Sequence, residues 1–339
     1  MSTSRVYQGV VVTYNETKKE FTSLFNHEMS DEAMIEFLLS MKLDDYTSVE
    51  SIAAAAEVMR SFSMPLPISN ELSMKALDVV GTGGDKIGSF NISSTVALLV
   101  ASCGSIVAKH GSRSITSKSG SADMFEELGI RLNLSIKNSA RLLEESGFTF
   151  MFAQNHHPAM SFIVPIRKTI PDKTIFNILG PLTNPAGAKK SLLGVFDKNF
   201  VSKMAEALKI NGATSTMVVS SREGMDEISI SDITYASILR DGLVHEFEID
   251  PEEYAIKRVP LRAIMGGDAK DNALILHNIF DNKATDAQRD IVLINAASAL
   301  VVDGLARDIQ DGLEIAQKAL KTGKAKEKLK NIIEISNKL

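Results

Sequence analysis

The sequence is poor in several residue types, and each shortage excludes a class of protein. Its 339 residues include one cysteine and no tryptophan. A single thiol can form neither an intrachain disulfide nor, by itself, a zinc site, so we expect no disulfide framework. The N-terminal residues lack the apolar segment of a secretory signal, and no apolar run approaches the roughly 20 residues of a membrane span. We therefore expect a cytoplasmic protein that does not associate with a membrane.

The charge balance argues against a general affinity for nucleic acid. The formal net charge is −5, with 44% hydrophobic and 23% charged residues, which is typical of a folded globular protein. A nucleic-acid-binding protein without enzymatic activity would show a net basic, aromatic-lined surface, which this composition does not favour. Any anion site must therefore come from a local cluster of cations.

The hydrophobic periodicity changes along the chain and divides it in two. The first part reads as helices over residues 15–25, 30–41 and 47–62, with a capping box at Thr47-Ser48-Val49-Glu50. After Pro65-Leu66-Pro67, short apolar strands alternate with helices, a pattern typical of a parallel sheet covered by helices. We predict an α/β protein in which a small helical domain, residues 1–72 joined by part of 165–190, accompanies a larger domain, residues 73–339, with a mainly parallel central sheet flanked by helices.

The later part of the chain continues this pattern. Residues 232–239 and 243–249 flank Arg240-Asp241-Gly242 and predict a hairpin. Four helices should close the chain, starting near Asp268, Thr285, Asp308 and Lys321. The basic stretch 318–330 is interpreted as a solvated helix face because Glu327 interrupts it and no aromatic residues interleave.

One loop has the composition of a phosphate site. Residues 109–123 hold three cations, six hydroxyl side chains and two glycines, behind an apolar strand and ahead of a short helix for which Ser121 is a plausible N-cap. A helix start offers unpaired N–H groups, so a bound anion could meet backbone dipoles as well as Lys109, Arg113 and Lys118.

A second glycine-rich segment follows the first predicted strand. Gly81-Thr82-Gly83-Gly84-Asp85 precedes Asn91-Ile92-Ser93-Ser94-Thr95, which starts a helix. The spacing fits neither a Walker loop nor a dinucleotide fingerprint. A tight structural turn would explain the glycines, but their place at the end of a parallel strand favours a phosphate or pyrophosphate cradle.

Two adjacent carboxylates, Asp226 and Glu227, follow another predicted strand. Such a pair suits Mg²⁺, which takes few protein oxygens and bridges to substrate phosphates. Alone, the pair is better interpreted as a solvated acidic loop, and only a neighbouring polyphosphate site favours the metal.

Four further features are less specific. His156-His157 precedes a helix that carries Arg167, but adjacent histidines diverge and no third ligand is suitably spaced, so they do not predict a metal site. Arg167 could clamp a carboxylate or form a surface ion pair. The proline-punctuated segment 174–185 predicts a rigid wall or hinge. Cys103 lies in an apolar run without cations, and we interpret it as a buried core thiol.

Taken together, these segments resemble the anthranilate phosphoribosyltransferase family. The resemblance is strongest in residues 81–85, 91–95, 109–129, 157–160, 174–185 and 226–227. It implies a homodimer that uses Mg²⁺ and transfers phosphoribose from phosphoribosyl pyrophosphate to anthranilate in tryptophan biosynthesis. No nucleic acid or membrane partner is implied.

The resemblance also assigns roles to individual residues. The donor would be surrounded by Gly81, Gly84, Asp85, Ser89, Asn91, Ile92, Ser93, Ser94, Lys109, His110, Gly111, Ser112, Arg113, Ser117 and Ser121. Anthranilate would be bordered by Gly81, Ser112, His157, Arg167 and Pro181. Mg²⁺ would be held by Ser93, Asp226 and Glu227, directly or through water. Lys109 and Arg113 would assist catalysis electrostatically.

One position departs from the family pattern. The family usually reads Lys-His-Gly-Asn-Arg, where the asparagine contacts anthranilate, and this chain has Ser112 instead. Serine is shorter than asparagine and has fewer hydrogen-bond donors. Losing the hydrogen bond that asparagine makes to anthranilate would weaken acceptor binding by about 0.5 to 1.5 kcal/mol. We expect retained activity with a modified acceptor pocket.

The residues leave two alternative functions open. A phosphoribosyltransferase with a different aromatic acceptor would use the same donor site. A pyrimidine nucleoside phosphorylase would share the broad architecture, although its characteristic loop after the glycine-rich turn is not evident here.

Overall fold

The computed structural model describes residues 6–7, 10–11, 13–113 and 118–339. The strands are β1 (Val6–Tyr7), β2 (Val10–Val11), β3 (Ala76–Gly81), β4 (Ile106–Gly111), β5 (Phe148–Phe152), β6 (Lys190–Gly194), β7 (Ser215–Ser221), β8 (Thr234–Arg240) and β9 (Leu243–Ile249). The helices are α1 (Tyr14–Phe25), α2 (Asp31–Ser40), α3 (Val49–Ser61), α4 (Asn70–Lys75), α5 (Ile92–Cys103), α6 (Ser121–Glu127), α7 (Ile136–Ser146), α8 (Ala153–His156), α9 (Met160–Thr169), α10 (Phe176–Leu179), α11 (Val201–Ile210), α12 (Ala269–Phe280), α13 (Asp286–Asp303), α14 (Ile309–Lys321) and α15 (Lys324–Lys338).

A seven-stranded sheet forms the centre of the molecule, in the order β5-β4-β3-β6-β7-β8-β9. The strands β5, β4, β3, β6 and β7 are parallel, whereas β8 and β9 form an antiparallel hairpin at one edge. The predicted α/β class, mainly parallel sheet and hairpin are confirmed.

Alternating strand residues divide the apolar core between the two faces of the sheet. On one face, Leu77, Val79 and Leu192 pack with residues of α5 and α12–α15. On the other, Val80 and Leu193 share one core with α11 and the N-terminal helices α1–α3. Helices therefore cover both faces, as a parallel sheet requires.

Local capping explains most helix starts and corrects three predictions. The helices α12, α13 and α14 begin after Asp268, Thr285 and Asp308, as predicted, because each side chain accepts from an N–H of the first turn.

The helix α3 is capped by Ser48 rather than Thr47, since the Ser48 Oγ accepts from the Ser51 N–H. The cap of α6 is Gly120, whose N–H donates to the Asp123 carboxylate, so Ser121 is instead the first helical residue. The last helix begins at Lys324, not near Lys321, because Gly323 adopts positive φ between α14 and α15.

The segment after α9 is attached to the N-terminal helices. Lys42 and Thr174 form an isolated antiparallel bridge, the Leu43 N–H donates to the Lys173 carbonyl at 2.9 Å, and the Ile175 N–H donates to the Met41 carbonyl at 2.9 Å. The contact joins part of the predicted 165–190 segment to these helices. The exact division at residue 72 stays a prediction.

Within the described ranges, no helix combines the length and the apolar character needed to cross a membrane.

Candidate active site

The chain reverses its direction of travel across the sheet between β3 and β6. From β3 it proceeds through β4 to β5 on one side, and then returns to place β6 and β7 on the other. The last residues of the two central strands, Gly81 and Gly194, are paired with each other. In open α/β sheets, ligands bind outside the carboxyl ends of the strands at this switch point.

Both glycines at the switch point make room for Asp226. A Cβ added to Gly81 would overlap the Asp226 carboxylate, and one added to Gly194 would overlap the Asp226 backbone. The Gly83 N–H donates to Asp226 Oδ2 at 2.6 Å. The glycines therefore let the loop after β7 pack against the sheet and bring an acid to the carboxyl ends of β3 and β6.

Asn295 of α13 fixes this acidic loop from the core side. Its fully buried amide accepts from the Ile228 N–H at 2.9 Å and donates to the Ile228 carbonyl at 2.8 Å. Both backbone groups next to Glu227 are thus satisfied by one side chain. The sequence alone did not reveal this role, because Asn295 lies 67 residues from its partner in an ordinary helical pattern.

Glu227, Ser93 and Lys109 meet at the start of α5. The Ser93 N–H donates to Glu227 Oε1 at 2.9 Å, so the helix terminus holds the carboxylate. Lys109 is only 1% exposed, and its ammonium donates to the Val79 carbonyl and, at 3.3 Å, to Ser93 Oγ. The three residues predicted around the donor and metal are therefore brought together.

The carboxylates of this cluster suit a divalent cation. Burial raises the pKa of Asp226, with a further rise from neighbouring Asp85, and burial together with Asp226 raises the pKa of Glu227. Burial lowers the pKa of Lys109.

Neither Asp226 nor Glu227 forms an ion pair within the part of the chain that the structure describes, and the positive charge of buried Lys109 offsets their charge only in part. Nor do three His, Cys, Asp or Glu side chains converge there as a preformed protein cage. This donor set fits Mg²⁺, which keeps several waters.

The other residues predicted to surround the phosphoribosyl donor lie at the same edge of the sheet. Ser94 Oγ donates to Ser121 Oγ at 2.9 Å, linking α5 to α6. Asn91 is held by Ser119 and by Asn272, which donates to Asn91 Oδ1 at 2.7 Å. Asn272 was not predicted, because it lies on α12, far along the chain.

The glycine loop exposes backbone, as a cradle should. Gly83, Gly84 and Gly88 have positive φ, and Asp85 accepts from the Ile87 N–H at 3.1 Å. Ser89 forms an isolated antiparallel β-bridge with Met265. The Ile92 side chain is buried in the core, so only its backbone can face a ligand.

Arg113 is tied up by two acids of α6. It makes bonds of 2.6 and 2.8 Å to Glu126 and of 2.9 Å to Asp123, which raise the pKa of its guanidinium. The neighbouring Ser112 is exposed and donates to the Arg113 carbonyl at 3.0 Å. Gly111 ends β4, and Ser117 lies outside the described residues.

Two buried histidines form the wall beside this cleft. The rings of His110 and His157 are 5.1 Å apart, and His110 Nδ1 lies 3.3 Å from the Gly180 carbonyl, next to buried Pro181. Neither Nε2 has a hydrogen-bond partner among the described residues. Burial lowers the pKa of His110 to about 3 and that of His157 to about 4. Both rings are therefore neutral near pH 7.

Asn184 anchors this wall to the sheet. Its amide donates to Asp78 Oδ2 at 2.7 Å and to the Ala108 carbonyl at 2.8 Å, and the His110 N–H donates to Asp78 Oδ1 at 3.2 Å. The segment 174–185 thus does act as a structured wall, although the sequence did not single out Asp78 or Asn184.

Arg167 lies in the last turn of α9. Its guanidinium carbon is 5.2 Å from the centre of the Phe176 ring, and it makes no hydrogen bond or ion pair with any residue that the structure describes. Burial lowers its pKa. A desolvated, unpaired guanidinium is suited to a carboxylate ligand. The surface ion pair considered from the sequence is not observed among these residues.

Cys103 is partly buried, so the predicted packing against the core is confirmed but full burial is not. It packs against the main core, and burial raises the pKa of its thiol to about 11, so the reactive thiolate is disfavoured.

The close approach of Asp226 gives a first prediction. Replacing Gly194→Ala should lower the free energy of unfolding by about 1 to 3 kcal/mol, because the new methyl group must displace the acidic loop. Urea unfolding measures this change. Gly180→Ala is the matched control, since a Cβ there meets nothing within 4 Å of the described structure. Equal effects of the two substitutions would contradict the proposed contact.

The two histidines give a second prediction. Folding lowers the pKa of both histidines. Below the unfolded His pKa of about 6.5, the unfolded chain therefore binds more protons than the folded chain, and the free energy of unfolding decreases as pH falls. Each histidine should lower the free energy of unfolding by about 2 kcal/mol between pH 7 and pH 5. Urea unfolding of His157→Gln should show a pH dependence shallower by that amount. The exposed His245→Gln is the control, and an unchanged slope for His157→Gln would refute the assignment.

Comparison with known proteins agrees with this geometry. Residues 73–326 match the family model described as "Glycosyl transferase family, a/b domain". The chain is 42% identical to the anthranilate phosphoribosyltransferase of Xanthobacter autotrophicus, an alignment that covers 99% of this chain and 96% of the relative.

Two solved structures share the fold. The anthranilate phosphoribosyltransferase of Thermus thermophilus superimposes with a TM-score of 0.90 and 33% identity, covering 99% of this chain and 100% of the other. The enzyme of Saccharomyces cerevisiae, in complex with phosphoribosyl pyrophosphate (PRPP) and Mg, gives a TM-score of 0.84 and 25% identity, covering 96% and 94%. These matches extend over nearly the full length of the chain, and the chain belongs to the anthranilate phosphoribosyltransferase family.

Proposed function

We propose that the cleft at the β3–β6 switch point is where this chain transfers the 5-phosphoribosyl group from phosphoribosyl pyrophosphate to the amine of anthranilate, releasing pyrophosphate in tryptophan biosynthesis. The observation that carries the proposal is the convergence of the glycine loop, Lys109 and the Asp226–Glu227 pair at one edge of the sheet. A phosphate cradle, a buried cation and a metal-binding pair are the parts that this reaction requires.

The donor would lie on the glycine loop and the start of α5. The backbone of residues 81–94 supplies N–H donors, and Ser94 with Ser121 supplies hydroxyl groups. Lys109 would act through its electrostatic field, because its buried ammonium donates to the Val79 carbonyl and to Ser93 Oγ. Arg113 would help bind phosphate only if the anion competes with Glu126 and Asp123 for its guanidinium.

Mg²⁺ would be held by Asp226, Glu227 and Ser93, directly or through water. The ion would neutralise the diphosphate and so stabilise the leaving group. The chain's own part is to hold both carboxylates in place: the Gly83 and Ser93 N–H groups donate to them, which favours their ionised forms against burial, and Asn295 fixes the backbone of the loop.

The acceptor would lie between the glycine loop and the histidine wall. Gly81, His157 and Pro181 would border the aromatic ring, and Arg167 would engage its carboxylate. Neutral His157 presents an uncharged surface, which suits a ring whose amine must stay unprotonated to react. Ser112 would stand where the family has asparagine.

The reaction needs no covalent nucleophile. The anthranilate amine attacks C1 of the ribose, the bond from C1 to the pyrophosphate oxygen breaks, and the configuration at C1 inverts. The amine is a weak nucleophile, so the rate must come from aligning two substrates and stabilising the departing charge. Closure of the N-terminal helices over the sheet would exclude water.

The assembly and location of the protein belong to the same proposal. The resemblance to the family supports a homodimer, and a biosynthetic role with one cysteine supports the cytoplasm. The negative net charge gives no support for a nucleic-acid partner.

The decisive assay follows the loss of anthranilate fluorescence after PRPP and Mg²⁺ are added. The double variant Asp226→Asn with Glu227→Gln should lower turnover by about 100-fold or more, because the carboxylates would no longer hold the metal. An unchanged rate at limiting Mg²⁺ would refute the metal role. Thymidine with inorganic phosphate serves as the alternative substrate pair, and turnover of that pair alone would favour a nucleoside phosphorylase.

The serine at position 112 generates a separate prediction. Ser112→Asn should leave the anthranilate KM unchanged or lower it by up to about 10-fold, since the longer amide can restore a hydrogen bond worth about 0.5 to 1.5 kcal/mol. Steady-state kinetics at saturating donor measures the change. A large rise in the anthranilate KM would show that serine is adapted to this pocket instead.

A further inference from the structure

Lys173 reaches from the N-terminal helices onto the glycine loop. Resting on the proposed function, we propose that its ammonium is a further donor-binding group, which contacts the diphosphate of phosphoribosyl pyrophosphate and couples donor binding to closure of the cleft. Lys173 was not among the residues predicted from the sequence.

The backbone of Lys173 belongs to the helical side of the cleft. Its carbonyl accepts from the Leu43 N–H, and its neighbours Thr174 and Ile175 bond to Lys42 and Met41. The position of Lys173 is therefore set by the loop after α2. Any movement of the N-terminal helices carries this residue with it.

The side chain of Lys173 belongs to the opposite side. Its Nζ donates to the Gly84 carbonyl at 3.2 Å and lies 3.2 Å from the centre of the Phe196 ring, just beyond β6. A cation over an aromatic face is held by the ring quadrupole, so this flexible side chain is already aimed at the loop. One residue thus connects the two sides of the proposed site.

The charges around the loop leave this cation available. Lys173 forms no ion pair with a residue that the structure describes, whereas Arg113 is engaged by Glu126 and Asp123. Lys109 is buried beneath the loop. Lys173 is thus a cation at the loop that no carboxylate neutralises directly.

A bound diphosphate would change the partner of Lys173. A phosphate oxygen near Gly84 offers the ammonium a charged acceptor in place of a neutral carbonyl, and charge-assisted bonds are roughly twice as strong as neutral ones. Because the backbone is anchored at Leu43, this new bond would hold the N-terminal helices more tightly against the glycine loop. Donor binding would then favour the closed cleft.

The test compares Lys173→Met with Lys173→Arg and with Lys168→Met. The control Lys168 is an exposed lysine of α9, five positions away, and forms no ion pair among the described residues. In the fluorescence assay, Lys173→Met should raise the KM for phosphoribosyl pyrophosphate by about 10-fold, with the anthranilate KM changed by less than about 3-fold. Lys173→Arg should restore most of the donor affinity, and Lys168→Met should match wild type.

Two outcomes would overturn the inference. One is a donor KM for Lys173→Met equal to that of wild type. The other is a loss that Lys173→Arg does not restore or that affects both substrates equally, because that pattern indicates a structural role.

A wild-type chain that consumes no anthranilate would instead refute the proposed function. Lys173 is then judged by calorimetric titration with Mg²⁺ and pyrophosphate, in which weaker binding by Lys173→Met supports the inference and equal binding overturns it.

Discussion

The close approach of Asp226 to the end of the sheet is the contact on which the proposed site depends. It requires glycine at Gly194, where a Cβ would overlap the Asp226 backbone, and it is helped by glycine at the paired Gly81, where a Cβ would overlap the Asp226 carboxylate. The Gly83 N–H then fixes the carboxylate, and Asn295 fixes the loop from the core. A backbone requirement at the switch point thus determines where a metal and a diphosphate can bind.

The electrostatics of the cleft follow from this arrangement. Asp226 and Glu227 are brought close together near Asp85, which makes their ionised forms costly without a cation. Lys109 compensates from inside the protein, and Lys173 is placed at the opposite side of the loop. In the proposed function, the substrate's own charge and its Mg²⁺ complete the balance, so the site is organised for a ligand that is itself strongly anionic.

Much of the fold was predictable because its signals are local. Capping side chains marked the starts of α12, α13 and α14, and alternating apolar runs marked the strands. The errors were also local: the cap of α3 moved by one residue and α15 began three residues later than expected, since adjacent hydroxyls or glycines offer nearly equal alternatives. Asp78, Asn184, Asn272 and Asn295 had no such signal. Their partners are far away in sequence, and a single asparagine in a helix or loop does not reveal what it will bond.

The sequence by itself determined the chemistry available to this protein: a glycine-rich turn after a strand, a loop of cations and hydroxyls, and a pair of adjacent carboxylates, in an order that resembles one enzyme family. These features are local strings of residue types, so they are readable without coordinates. The tertiary structure decided how the charges are used. It buried Lys109, paired Arg113 with two acids and brought Lys173 across the cleft to Gly84. Those outcomes depend on which segments meet when the sheet and helices pack, and that packing is a property of the whole chain.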